Sequence, residues 1–134
     1  MLPGLKEMSR QLNLEDRIHW LGNVPDPKKL LQSSDVFVLA SVGEAFGLVL
    51  AEAMACGVPI VGSRSGSLPE VVADGLTGFL VTPMIATEFA DAIERLARDK
   101  NLREKMNSHA IARVRKEFPL EKAVAETIRI YESL

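Results

Sequence analysis

The chain has 134 residues, the length of a single domain. Apolar residues make up 47% of it and charged residues 25%, a balance typical of soluble globular proteins that excludes a disordered chain. The net charge of −2 argues against a nucleic-acid partner, and the single cysteine, Cys56, excludes a disulfide framework and a cysteine-ligated zinc site. Because neither a signal peptide nor a membrane-spanning run is visible, we expect a cytoplasmic protein.

The first third of the chain predicts two helices with a short strand between them. Apolar residues recur at helical spacing in the first helix: Leu5, Met8 and Leu12. Residues 17–21 are typical of a short strand, and we expect Trp20 within it to pack in the core. Asp26 and Pro27 then predict the start of a second, short helix, with Asp26 as its N-cap.

The middle of the chain alternates apolar strands with helices. Three apolar runs predict strands: 36–40, 58–61 and 78–81. The run at 36–40 is continuously apolar, which is typical of a strand buried on both faces. Residues 46–56 predict an almost wholly apolar helix that ends at Gly57, and residues 68–72 predict a shorter one. Strands that alternate with helices in this way indicate an α/β domain with a parallel sheet.

The last third of the chain predicts three helices. Thr87 is a candidate N-cap for the first, and Asn101 with Glu104 predicts a capping box at the start of the second. Pro119 precedes the third. Charges of both signs along these segments are typical of helix faces in contact with solvent.

Two carboxylates flank the start of the apolar helix. Glu44 follows the strand at 36–40, and ligands of open parallel sheets bind beyond the carboxyl ends of strands. Glu52 lies among apolar residues of the helix, where a buried, unpaired carboxylate is costly unless it faces a cleft. Each acid alone has an ordinary explanation, solvent exposure for Glu52 and a helix start for Glu44. Their occurrence around one helix start favours a ligand site.

The helix start between these acids is suited to a diphosphate. The backbone N–H groups of residues 45–48 have no helical partner, and Gly47 allows a ligand to approach the backbone closely. Glu52 can accept hydrogen bonds from ribose hydroxyls, and Glu44 can bind a further polar group. A ligand that combines a diphosphate, a ribose and a sugar is a nucleotide sugar.

Five motifs in chain order resemble those of retaining glycosyltransferases with the GT-B fold. The run EAFGLVLAEAMACGVPIV at 44–61 is similar to the Glu-x7-Glu signature of that family. The other four are HWLGNVP at 19–25, DVFVLAS at 35–41, GSLPE at 66–70 and DGLTGFLV at 74–81. The resemblance covers the whole chain. It implies a partial doubly wound parallel sheet, the Rossmann-like C-terminal half of a GT-B fold.

The resemblance also implies roles for individual residues. Glu44 contacts and orients the donor sugar, Glu52 binds the ribose hydroxyls, and the backbone of Val24 contacts the base. Three backbone amides hold the diphosphate: Phe46, Gly47 and Leu48. The family retains the anomeric configuration and generally works without a divalent metal, so we expect neither a metal nor a cofactor.

The chain departs from the family pattern in sequence and in extent. Ala40 replaces a proline, and Ser67 replaces the second glycine of a Gly-Gly pair. The N-terminal acceptor domain and the first strands of the donor domain have no counterpart, so residues 1–134 are expected to be a donor-binding domain that is inactive alone. Without those first strands, strand edges are left unpaired. We expect either that the segment 17–21 pairs directly with 36–40, that an edge pairs with a second copy of the chain, or that the chain aggregates.

Other interpretations remain open at this point. A non-catalytic module that binds nucleotide sugars or serves in assembly would share the same donor site. Half of a GT-B epimerase or phosphorylase is a third interpretation, although no motif for a lysine-bound pyridoxal cofactor is evident. Arg64, in the loop after the strand at 58–61, either meets the ligand or is a solvated loop residue.

Overall fold

A computed structural model describes residues 2–45 and 47–133, and for Leu120 its backbone. The helices are α1 (Leu2–Gln11), α2 (Lys28–Gln32), α3 (Leu48–Ala55), α4 (Leu68–Val71), α5 (Ala86–Arg98), α6 (Lys100–Glu117) and α7 (Leu120–Glu132). The strands are β1 (Phe37–Leu39), β2 (Ile60–Ser63) and β3 (Gly78–Val81), and a single 3-10 turn follows α1. None of the described helices is both long and apolar enough to cross a membrane.

The three strands form one parallel sheet in the order β1-β2-β3. Helix α3 connects β1 to β2, and α4 connects β2 to β3, as parallel neighbours require. At the start of β3, a Cβ atom on Gly78 would lie 2.2 Å from the carbonyl oxygen of Ile60, so only glycine allows the strands to approach this closely. The predicted α/β fold with a partial parallel sheet is confirmed.

Helices cover both faces of the sheet. On one face, Ile60 and Leu80 pack against α3, α4 and α6 in the larger core cluster. On the other face, Val61 and Val81 pack against α5 and the first half of α6. In β2 and β3 nearly all side chains are buried, as the apolar sequence of these strands predicts. The expectation that the strand at 36–40 is buried on both faces is wrong for β1, because Val38 in its middle is 43% exposed.

The predicted strand at 17–21 is wrong. This segment begins in the 3-10 turn Glu15–Arg17 and continues without regular structure, and Trp20 is 39% exposed rather than in the core. A strand exists only where its backbone groups pair with a neighbour, and none of the described residues pairs with the outer edge of β1. The apolar pattern alone therefore could not make this segment a strand.

The helix caps also differ from the sequence prediction. Helix α5 begins at Ala86, so Thr87 lies inside its first turn. Helix α6 is capped by Asp99, whose carboxylate accepts a hydrogen bond from the amide of Leu102 at 2.9 Å, and Asn101 lies within the helix. Aspartate and asparagine have similar capping preferences, so the sequence pattern could not decide between two positions so close together.

Candidate functional site

The candidate site lies where β1 and β2 end. Parallel strands present their carboxyl ends at one edge of the sheet, which brings the loop after β1, with Glu44, against the loop after β2. The amide of Ser67 donates to the carbonyl oxygen of Glu44 at 3.1 Å, and the Ser67 hydroxyl donates to the same oxygen at 3.2 Å. The amide of Gly43 also donates to Oγ of Ser65 at 3.4 Å.

Glu44 lies beyond the carboxyl end of β1, where the sequence predicts it. Its side chain is half-buried, and the Ser41 hydroxyl donates a hydrogen bond to its Oε2 atom at 3.3 Å. Ser41 was not among the residues predicted for the site. Its place at the end of the DVFVLAS motif, just beyond β1, is a signal in the sequence that could have indicated it.

Helix α3 begins at Leu48, two residues later than predicted. Gly47 precedes it with a φ of 70°, a left-handed conformation that glycine adopts readily. A Cβ atom on Gly47 would lie 2.8 Å from Cδ1 of Leu50. A larger residue here would therefore have a strained backbone and would collide with the Leu50 side chain. The unpartnered N–H groups of the helix start accordingly belong to the turn that begins at Leu48. Phe46, which the sequence predicts for the site, lies outside the described residues.

Glu52 lies on α3 and is exposed, so its charge carries no burial cost. It faces an open cavity of about 410 Å³ between α2 and α3. The other residues that line this cavity are Asp26, Pro27, Lys28, Leu31, Gln32, Ala55 and Cys56. Val24 is half-buried in the irregular segment just before Asp26. Of the predicted site residues, Leu48 and Glu52 thus lie on α3, and Val24 lies in the segment that leads into α2.

Arg64, in the loop after β2, forms an ion pair with Asp74. Its guanidinium group binds the carboxylate of Asp74 and donates to the carbonyl oxygen of Leu80 at 2.9 Å. Burial alone would raise the pKa of Asp74, but the amide of Leu80 and the guanidinium of Arg64 outweigh it and leave that pKa below its ordinary value. Arg64 therefore joins the loop after β2 to β3 with a side chain that is half exposed, and its contact with a ligand stays a prediction.

Metal-binding side chains do not cluster at this site. Among residues 2–45 and 47–133, no group of three or more histidines, cysteines, aspartates or glutamates could hold a metal ion. The expectation that the chain works without a divalent metal stays a prediction.

The sequence of this chain matches a known protein family over most of its length. The sequence profile described as glycosyl transferases group 1 matches residues 3–113. The chain belongs to this glycosyltransferase family. A curated relative, N-acetyl-alpha-D-glucosaminyl L-malate synthase of Bacillus anthracis, is 41% identical over 125 residues, which are 93% of this chain and 33% of that protein. The chain thus spans about a third of the length of this relative.

Several solved structures share the fold. The Anabaena HepE protein in complex with UDP superposes with a TM-score of 0.96 at 30% identity, over 99% of this chain and 37% of that one. HepE in complex with UDP-glucose gives a TM-score of 0.93 at 29% identity, again over 99% and 37%. The C-terminal domain of a group 1 glycosyl transferase from Francisella tularensis gives 0.79 at 28% identity, over 88% and 62%.

Proposed function

We propose that this chain is the donor-binding domain of a glycosyltransferase that transfers a sugar from a nucleotide sugar with retention of configuration. The observation that carries the proposal is the placement of Glu44 and Glu52 on either side of the start of α3, with an open cavity in front of Glu52. The UDP and UDP-glucose complexes of HepE, which has the same fold over nearly the whole chain, support a nucleotide-sugar ligand.

Each part of a nucleotide sugar has a candidate partner in the proposed site. The first turn of α3, preceded by Gly47, offers N–H groups and the positive end of the helix dipole to the diphosphate. Glu52 accepts hydrogen bonds from the ribose hydroxyls, and the base lies toward Val24 and the cavity. The sugar then extends toward Glu44, whose carboxylate binds its hydroxyls.

We propose further that transfer takes place in a longer protein with an N-terminal acceptor domain. The chain matches 33% of the length of one curated relative and 25% of another, a D-inositol 3-phosphate glycosyltransferase of Corynebacterium diphtheriae. Transfer needs an acceptor opposite the donor. We therefore expect the 134-residue chain to bind the donor without transferring its sugar.

Substitution of Glu52 tests the nucleotide site. Glu52→Gln keeps the shape of the side chain but removes the charge that strengthens its bonds to ribose, so UDP affinity should fall about ten- to hundredfold, or roughly 1.5–3 kcal/mol. Isothermal titration of UDP into both chains measures this difference. Glu121→Gln, at an exposed position on α7, is the matched control and should leave the affinity unchanged. Equal UDP affinity in the Glu52→Gln variant and the unaltered chain would contradict the ribose role.

A further inference from the structure

We propose that Ser67 is a positioning residue that fixes Glu44 for the donor sugar, an inference that rests on the proposed function for what Glu44 binds. Ser67 directs both of its donor groups at one acceptor. Its amide lies 3.1 Å and its hydroxyl 3.2 Å from the carbonyl oxygen of Glu44. Twenty-three residues separate these partners in the chain, so the two bonds join separate loops.

The Ser67 hydroxyl is used differently from an ordinary helix cap. Ser67 occupies the N-cap position of α4, where a serine side chain typically accepts a hydrogen bond from an amide of the first turn. Here its side chain makes no such bond to the helix. The hydroxyl turns to Glu44 instead, which indicates that its partner is the loop after β1 rather than α4.

The residue before Ser67 brings the two loops into backbone contact. Gly66 has a φ of 57°, and a Cβ atom there would lie 2.5 Å from the carbonyl oxygen of Glu44 and 2.9 Å from its nitrogen. Both are backbone atoms, which cannot move aside as a flexible side chain can. Oγ of Ser65 accepts a hydrogen bond from the amide of Gly43, next to Glu44 in the chain. Residues 65–67 thus form a surface that contacts the loop around Glu44. We call these three residues the Glu44 seat.

The seat and Ser41 fix Glu44 at opposite ends. The seat holds its carbonyl group, while the Ser41 hydroxyl binds its carboxylate at 3.3 Å. A carboxylate held in this way is oriented before the sugar binds, so less conformational entropy is lost on binding. A glycine, which the resemblance predicts at position 67, has no hydroxyl and could supply only the amide bond.

The first experiment measures order in the loop without a ligand. Hydrogen exchange at residues 42–45 is compared in the unaltered chain, Ser67→Ala and Ser67→Thr. We expect the backbone amides of residues 42–45 to exchange faster in Ser67→Ala. In Ser67→Thr, which keeps the hydroxyl, we expect them to exchange at the rate of the unaltered chain. Ser108→Ala is the matched control, because its hydroxyl also donates to a carbonyl oxygen, that of Glu104 at 3.1 Å, but far along α6. It should leave exchange at 42–45 unchanged.

The second experiment separates the sugar from the nucleotide. UDP and UDP-glucose are titrated into the same chains, with Glu44→Ala to define the largest effect. We expect Ser67→Ala to bind UDP as the unaltered chain does but to lose about three- to tenfold in affinity for UDP-glucose, the effect of one hydrogen bond. Ser67→Thr should recover that loss.

These measurements distinguish a positioning role of Ser67 from a merely structural one. Equal weakening of UDP and UDP-glucose, or unchanged exchange at 42–45 in Ser67→Ala, would overturn the role of Ser67. An unaltered chain that binds neither nucleotide would contradict the proposed function. The exchange experiment would then still decide whether Ser67 holds the loop, because it needs no ligand.

Discussion

At the scale of single residues, Cys56 reports on the cavity beside α3. It lies four residues after Glu52, on the same side of the helix, and both side chains line the cavity. It is the only cysteine of the chain, so any thiol reaction occurs there. We expect UDP to slow the alkylation of Cys56 by iodoacetamide, because a bound nucleotide covers the cavity. Mass spectrometry over time measures the rate, and UDP that leaves it unchanged would place the nucleotide elsewhere.

Asp74 gives the chain a predictable response to acid. Its pKa is lowered on folding, so its stabilisation is complete above the unfolded value of about 3.8 and is lost as the pH falls through the lower folded value. The ion pair with Arg64 is partly exposed, so the effect is modest. We expect Asp74→Asn to be less stable than the unaltered chain at pH 7, and the difference to shrink as the pH falls below 3.8. Urea unfolding at pH 7 and across a series of pH values below 3.8 measures the difference in the free energy of unfolding, and a constant difference would contradict the assignment.

The sequence identifies some of these residues and misses others for a physical reason. Glu44 and Glu52 are visible because carboxylates are unusual within an apolar segment. The partners of Ser67 and Arg64 depend on contacts between loops that lie 23 and 10 residues apart, which only the folded sheet brings together. Local periodicity contains no information about such pairs.

At the scale of elements, the sequence predicts the helices better than their ends. The apolar run predicts α3, but its start at Leu48 depends on the left-handed conformation of Gly47. The start of α6 depends on which polar residue caps it, and Asp99 rather than Asn101 does so.

Substitution at the start of α6 tests that cap. Asp99→Ala removes the acceptor for the amide of Leu102, so the free energy of unfolding should fall by about 0.5–2 kcal/mol. Asn101→Ala, two residues away, should change it by less than about 0.5 kcal/mol, because that side chain is exposed and makes no cap. Denaturant unfolding of both variants gives the comparison. A larger loss of unfolding free energy in Asn101→Ala than in Asp99→Ala would instead support the capping box that the sequence predicts.

At the scale of the whole molecule, alternation of strands and helices was enough to predict the α/β class but not the number of strands. The segment 17–21 has a strand-like pattern and yet forms none, because pairing depends on a neighbouring edge rather than on composition. Helices from distant parts of the chain complete the core, with α6 contributing to both faces of the sheet.

The outer edge of β1 predicts how the 134-residue chain behaves at high concentration. No described strand pairs with this edge, and Val38 in the middle of β1 is 43% exposed. It borders an apolar groove of about 430 Å³ that includes Phe89 and Ile93 of α5. Unpaired backbone groups beside apolar surface favour pairing with a second chain. We therefore expect self-association that increases with concentration in sedimentation velocity.

A charge on the edge strand should oppose this association, as lysine does on natural edge strands. We expect Val38→Lys to shift the chain toward monomer at a given concentration. Leu76→Lys is the matched control, because Leu76 is similarly exposed, at 47%, but lies in the turn before β3. It should leave association unchanged. A chain that stays monomeric at all concentrations would contradict pairing through β1. Association weakened equally by both lysines would instead indicate a general effect of net charge, because position 76 lies neither on β1 nor in the groove beside it.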